Sequence, residues 1–377
     1  MSNIELAPLS AWTLQRLPAE VAAAVDRLRA AEDVAHVAIM PDVHLSADVC
    51  IGAVLATHTL LYPQAVGGDI GCGMAALALD LEADALDSER PAAHLLAGLY
   101  EHVPSNRLRR AQELPAALAP SQLSDPRLSK LAQRDGAVQL GTLGRGNHFL
   151  EFQADSDGRL WVLVHSGSRA MGQAITAHHL ARAAPTAGKL AALDASDKPG
   201  QAYLADLAWA RAYAAESRRA MLRGVERLVG RLFAASADWD SLIYSDHNHV
   251  RQETHGGRKL WVHRKGAQSA SESEPGIVPG SMGAPSFHTV GRGCAAALES
   301  CSHGAGRRLS RTEARRAVSE KEFARQVGRL WYDRRRAESL RDEAPAAYND
   351  IRTVMRAQQE LTKIVRELRP LLSYKGA

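Results

Sequence analysis

Apolar and polar positions recur along this chain with two periods, and the switch between them marks its segments. "PAEVAAAVDRLRAAED" (residues 18–33) has the three- and four-residue apolar spacing of a helix. "VAHVAIM" is a continuous apolar run that predicts a buried strand, closed by the polar turn "PDVHLSAD". "IGAVLATHTLL" is a second β-branched run, and "GMAALALDLEA" alternates like a strand. Leu- and Ala-rich helical text fills residues 91–137, interrupted by the surface loop "LAPSQLSDP".

The middle of the chain changes character. "NHFLEFQ" and "RLWVLVHS" read as paired strands joined by "ADSDG", with Asp and Gly where a hairpin turn wants them. An Ala-rich helical stretch covers residues 172–235. The β-rich "SLIYSDHNHVRQETH" and "KLWVHRKGA" follow, then the glycine-dense "PGIVPGSMGAPS". The last sixty residues read as helices, broken at "APAAYND" and ending in "SYKGA". No repeat or low-complexity linker divides the chain, and strands and helices mix without βαβ regularity. The expectation is one α+β domain over residues 1–377, with mixed or antiparallel sheets and a helical C-terminal part.

Composition narrows this picture. The chain has 377 residues, 46% apolar and 23% charged, in the range of water-soluble globular proteins. No apolar run approaches the roughly 20 residues a membrane helix needs. The first twenty residues lack the basic start and apolar stretch of a secretory signal, so the expected location is the cytoplasm. Cys50, Cys72, Cys294 and Cys301 form no CxxC pair, so any metal site must be built mainly from His and carboxylates. Net charge is only +4, but residues 307–341 carry twelve Lys/Arg against five Asp/Glu. Such a surplus suits either a polyanion, nucleic acid above all, or a solvated helix surface with i,i+4 pairs.

Candidate chemistry sits at the ends of the predicted strands. "AVGGDIGCGM" places Asp69 three residues before Cys72 in a glycine-rich turn. A thiolate beside a carboxylate is unfavourable unless a cation lies between them, although this fragment alone also suits a buried Cys beside a turn Asp. "GRGNHF", "LVHSGSR" and "SDHNHV" add His148, His165 and His247, each beside Gly, Ser or Asn. Together the five make an N/O/S ligand set in which a bridging thiolate can hold two ions. Mn²⁺ and Zn²⁺ both suit it. "CSHGAGR" sets His303 in an open small-residue turn, as a ligand, a general base or a nucleophile toward phosphorus. "PGSMG" (residues 279–283) is a second glycine turn able to wrap a nucleotide, and neither turn is a Walker loop.

In order, "MPDVH", "GGDIGCGM", "LGTLGRGNHFLEF", "VHSGSR", "HNHVRQE", "HRKGA", "PGSMG", "SHGAGR", "AYND" and "YKG" resemble the RtcB family of RNA ligases across nearly the whole chain. The resemblance implies GTP- and Mn²⁺-dependent joining of a 2′,3′-cyclic phosphate or 3′-phosphate RNA end to a 5′-hydroxyl end. The implied route runs through a histidine–GMP intermediate and an RNA(3′)pp(5′)G end, around a central metal and nucleotide cleft. It implies His303 as nucleophile, and Asp69, Cys72, His148, His165 and His247 as ligands of two Mn²⁺ bridged by Cys72. The guanosine pocket would comprise Asn147, Phe149, Glu151, Pro279, Gly280, Ser281, Met282, Gly304, Ala305, Gly306, Tyr348 and Lys375, the last requiring a C-terminus folded back into the site. Asp42, His44, Arg169, Arg264 and Lys265 are the implied RNA contacts, and an archease-type protein is an implied activator. "SADVCIGAV" and Ala170 depart from the family pattern without touching a proposed ligand. A metal-dependent RNA phosphoesterase and a non-ligating RNA-binding paralogue are the competing readings.

Overall fold

The computed structural model describes residues 6–186 and 190–376. The start of the N-terminal leader, three residues of the 172–235 stretch and the final residue of "SYKGA" lie outside the described residues. Two large sheets organise the chain. The five-stranded sheet joins Leu9–Ala11 (β1), Val34–His44 (β2) and Ile51–Thr57 (β3) to a later hairpin. The seven-stranded sheet begins with Gly73–Glu82 (β4), Phe149–Ala154 (β5), Arg159–Ser166 (β6) and Ala237–Asp246 (β7). Asn248–His255 (β8) and Arg258–Lys265 (β9) are the hairpin of the first sheet, ordered β1-β2-β3-β9-β8. Pro275–Pro279 (β10), Ser286–Gly291 (β11) and Thr362–Lys375 (β12) complete the second, ordered β7-β4-β6-β5-β12-β11-β10. All these pairings are antiparallel except β1 with β2.

Period-two alternation places β4 between two apolar layers. Ala75, Leu77 and Leu79 face Val162, Val164 and the helices Glu89–His102 and Lys198–Phe233, while Met74, Ala76 and Ala78 face Trp161, Leu163 and Ile277. The 36-residue helix Lys198–Phe233 buries Leu207, Ala210, Ala214, Met221, Val225 and Leu228 at three- and four-residue spacing, and Ala234 closes it in the left-handed conformation. Among the described residues no helix is long and apolar enough to cross a membrane.

The α+β reading and the hairpin at "ADSDG" match the structure, with Phe149 opposite His165 and Ala154 opposite Leu160. Three local readings change. The "PDVHLSAD" turn starts later, because β2 runs on through Pro41, Asp42, Val43 and His44 with an irregular register beside β3. The 172–235 stretch is two helices, Ala170–Leu180 and Lys198–Phe233, separated by the short strands Ala184–Pro185 and Ala191–Asp194. The C-terminal part is helical only in pieces, the last being Ile351–Ala357. Then β12 enters the middle of the seven-stranded sheet between β5 and β11. Its "TKIVRELRPLLSYK" lacks alternation because residues 363–367 are largely solvent-facing whereas residues 371–375 are buried on both faces. Pro370 is accommodated at a register shift against β5.

Candidate active site

The seven-stranded sheet aligns the ends of three neighbouring strands. Gly73 opens β4 opposite Ser166, the last residue of β6, and opposite Asp246, the last residue of β7. Cys72, His165 and His247 therefore stand side by side at one edge. His247 is also where the chain crosses to the five-stranded sheet. Its N–H donates to the Cys72 carbonyl and its own carbonyl accepts from Ala267 N–H.

Two triads of donor atoms result, each within 4.8 Å: Cys72, His165 and His247, and Asp69, Cys72 and His148. Cys72 belongs to both. Its Sγ lies 3.3 Å from His165 Nε2 and 3.5 Å from His148 Nε2. His165 Nε2 and His247 Nε2 are 3.0 Å apart, and His148 Nε2 is 2.9 Å from Asp69 Oδ2. The opposite ring nitrogens of His165 and His247 are engaged elsewhere. His165 Nδ1 lies 3.2 Å from the Asn147 carbonyl, and His247 Nδ1 lies 3.3 Å from Asn248 Oδ1. Such contacts fix the tautomer that leaves Nε2 free to bind a metal. Gly167 lets Asp69 in, since a Cβ there would lie 2.3 Å from Asp69 Oδ1.

The electrostatics of these groups suit a cation. Burial and then the Asp69 charge push the Cys72 thiol well above its usual range. Burial and neighbouring imidazoles hold His165 and His247 well below theirs, so both rings are neutral. A divalent ion among such donors reverses the thiol's preference and takes neutral imidazole directly. The residues present thus fit a two-ion centre with Cys72 shared, and softness does not choose between Mn²⁺ and Zn²⁺.

His303 follows the short strand Ser300–Ser302. Its Nδ1 lies 2.7 Å from Asp42 Oδ2. Its ring centroid is 4.5 Å from that of His247. Gly306 (φ +72°) turns the loop tightly against β2, where a Cβ would meet the Asp42 carbonyl at 2.4 Å.

His303 lines two cavities at once. On one side is the cleft containing all five candidate ligands, with Arg169 and Lys265 on its wall. On the other is a partly open pocket lined by all twelve residues of the expected guanosine site together with Glu343, Ser373, Met74 and Arg307. Glu343 is its hub. Glu343 Oε2 accepts from Tyr348 Oη at 2.7 Å and pairs with Lys375 Nζ at 2.8 Å, and Oε1 pairs with Arg311 at 2.7 Å. Burial opposes its ionisation, but Lys375 and Arg311 outweigh burial and bring Glu343 down to about 2. Glu151 differs. Burial raises it to about 7, against hydrogen bonds from Gln153 and Ser373.

Two expected RNA contacts are corrected. Arg264 has no exposed surface, and its guanidinium is used up on Glu253, Ser300 Oγ, the Leu298 carbonyl and His249. Asp42 is fully buried against His303. His44 lies on the rim of the pocket. Of the twelve basic residues in 307–341, seven are committed internally, including Arg307 to Tyr348 and Arg336 to the Lys375 and Gly376 carbonyls. Arg308, Arg316, Lys321, Arg329 and Arg334 stay exposed. Glu343 escaped sequence reasoning because "RDEAPAAY" has no spacing signal, and only the fold-back of Lys375 gives it a role.

The family model for the tRNA-splicing ligase RtcB matches residues 23–125 and 119–376. The chain belongs to the RtcB family. A similar protein, the RNA-splicing ligase RtcB of Escherichia coli K12, is 34% identical over 406 residues, covering 99% of this chain and 98% of that protein. The RNA-splicing ligase RtcB of Mycobacterium tuberculosis is 30% identical over 416 residues, with 89% and 96% covered. The tRNA-splicing ligase RtcB of Pyrobaculum aerophilum is 29% identical over 424 residues, with 90% and 87% covered. The RtcB motifs in this chain are the segments that line the two cavities meeting at His303.

Proposed function

We propose that this RtcB chain is a GTP-dependent RNA ligase that joins 2′,3′-cyclic phosphate or 3′-phosphate ends to 5′-hydroxyl ends. The observation that carries the proposal is the position of His303, which faces a pocket lined by glycine turns, Phe149, Glu151, Tyr348 and Lys375 on one side and five candidate metal ligands on the other. A phosphoesterase needs only the second cavity, so the first favours nucleotidyl transfer.

In this reading His303 Nε2 attacks the α-phosphorus of GTP, the P–N bond forms and pyrophosphate leaves. Asp42 on Nδ1 holds the ring and offsets the charge the imidazole gains, as an orienting carboxylate does for other catalytic histidines. Where the RNA ends in a cyclic phosphate, water first adds to that phosphorus and the P–O2′ bond breaks, leaving a 3′-phosphate and a free 2′-hydroxyl. An oxygen of the 3′-phosphate then attacks the GMP phosphorus, breaking P–N and restoring His303. The RNA 5′-hydroxyl displaces GMP from the activated end as its proton passes to a base. Tyr348 offers its ring to the purine, and Glu151 when ionised can accept from the N1–H and 2-amino group of guanine. Lys375 and Arg307 lie where phosphate or ribose oxygens can reach them. Asp69, Cys72, His148, His165 and His247 would hold two Mn²⁺, which neutralise charge on the phosphoryl groups.

The test mixes one RNA ending in a cyclic or 3′-phosphate with another beginning in a 5′-hydroxyl, plus GTP and Mn²⁺, with and without an archease-type protein. A joined strand that requires GTP supports the proposal. Opening of the cyclic phosphate with no joining under either condition refutes it in favour of a phosphoesterase.

A further inference from the structure

We infer that Arg218 is a positioning residue of the ligand cluster, tying the Cys72 loop to the strand end that carries His165. This rests on the reading that the cluster binds divalent metal. Arg218 lies within the helix Lys198–Phe233 and has no exposed surface. Its Nη1 donates to the Gly71 carbonyl at 2.9 Å and to the Ser166 carbonyl. Gly71 immediately precedes Cys72, and Ser166 immediately follows His165, so one guanidinium fastens the backbone beside two ligands. Its Nη2 donates to Tyr244 Oη, and its central carbon stands 4.6 Å from the Tyr244 ring centroid.

Nothing in the packing requires arginine here. Arg is almost never fully buried unless paired, yet among the described residues no carboxylate lies within ion-pair distance of Arg218. Its Nε also finds no acceptor. The nearby carboxylates are committed: Asp246 to Arg211, Arg251 and His249, and Asp69 to His148. A buried guanidinium without a counter-carboxylate is costly, and what it contributes here is a fork of donors on the Gly71 and Ser166 carbonyls, beside two candidate ligands.

The test is a Co²⁺ titration of the metal-free full-length protein, following the thiolate-to-cobalt absorption band and affinity, with the melting temperature of each metal-free variant. Outer-shell partners of metal ligands typically change affinity 10–100-fold. Arg218→Met is expected to weaken Co²⁺ binding by about that factor and to diminish the thiolate band. Arg218→Lys, which keeps the charge but not the fork, should recover part of both. Should Arg218→Met fail to fold, Arg218→Lys and Tyr244→Phe decide, each expected to weaken binding several-fold with a reduced band. Wild-type affinity and a full band in the folded variants overturn the inference. Absence of the band in the wild-type protein instead overturns the metal reading, and the inference with it.

Discussion

The ligand cluster and the nucleotide pocket meet at His303 but are assembled in opposite ways. In the cluster, Cys72, His165 and His247 are set side by side by the aligned ends of β4, β6 and β7, and Asp69 and His148 join them from the loops before β4 and β5. The pocket takes most of its lining from residues 147 to 375, with His44, Ile51 and Met74 from earlier in the chain, and its Lys375 side is in place only when β12 lies between β5 and β11, opposite Phe149. One half is thus fixed by strand register in the body of the fold, and the other by a late strand held by an ion pair. Substitutions should separate the two halves.

The largest effect is expected at their junction. His303→Ala removes the proposed nucleophile and should lower ligation by about 10⁴-fold or more, while leaving the five candidate metal ligands in place. Metal content measured beside ligation checks both statements. Cys72→Ala should come next. It deletes the donor common to both triads, so bound metal should fall below two ions per chain and guanylylation by about 10³-fold, with GMP binding to the pocket largely kept. Full activity in that variant would contradict a bridging role.

Lys375→Ala reverses the pattern. It leaves Glu343 buried with Arg311 and Tyr348 but without one of its two cations, so nucleotide affinity should drop about 10–100-fold while Co²⁺ binding stays at the wild-type value. Equal losses in both would mean that the halves are not separable.

The smallest effect is a pH dependence confined to the pocket. Glu151 shifts from 4.5 to about 7, so the folded chain holds more protons there than the unfolded chain between those values. Its contribution therefore makes stability fall as pH rises across that window and level off above it. Under the proposed guanine contact, nucleotide binding should run the other way, since the ionised carboxylate would be the acceptor. GMP affinity should weaken by up to about tenfold per unit as pH falls below 7. In Glu151→Gln that slope should be absent, which a titration at several pH values would reveal.

What the sequence disclosed follows the same division. The five ligands could be read because glycine turns at strand ends announce their backbone positions, and donor types announce their chemistry. The hairpin at residues 154–158 was equally plain. By contrast, β12 reads as helix because its Leu and Arg spacing carries no alternation, and only pairing with β5 and β11 makes it a strand. Glu343 and Arg218 were invisible for a related reason. Each is a charged residue in an unremarkable stretch, given meaning by a partner far along the chain. Arg264 shows the converse error: "HRKGA" looks like a phosphate-binding run, but strand alternation in β9 turns Arg264 inward while Lys265 faces the cleft.

The central claim is that His303 carries the nucleotide, and intact-protein mass spectrometry after incubation with GTP and Mn²⁺ tests it most directly. The account predicts an acid-labile mass increase of one GMP in the wild-type chain and none in His303→Ala. A metal-loaded wild-type protein that gains no mass, or a His303→Ala variant that gains the same mass, would contradict it.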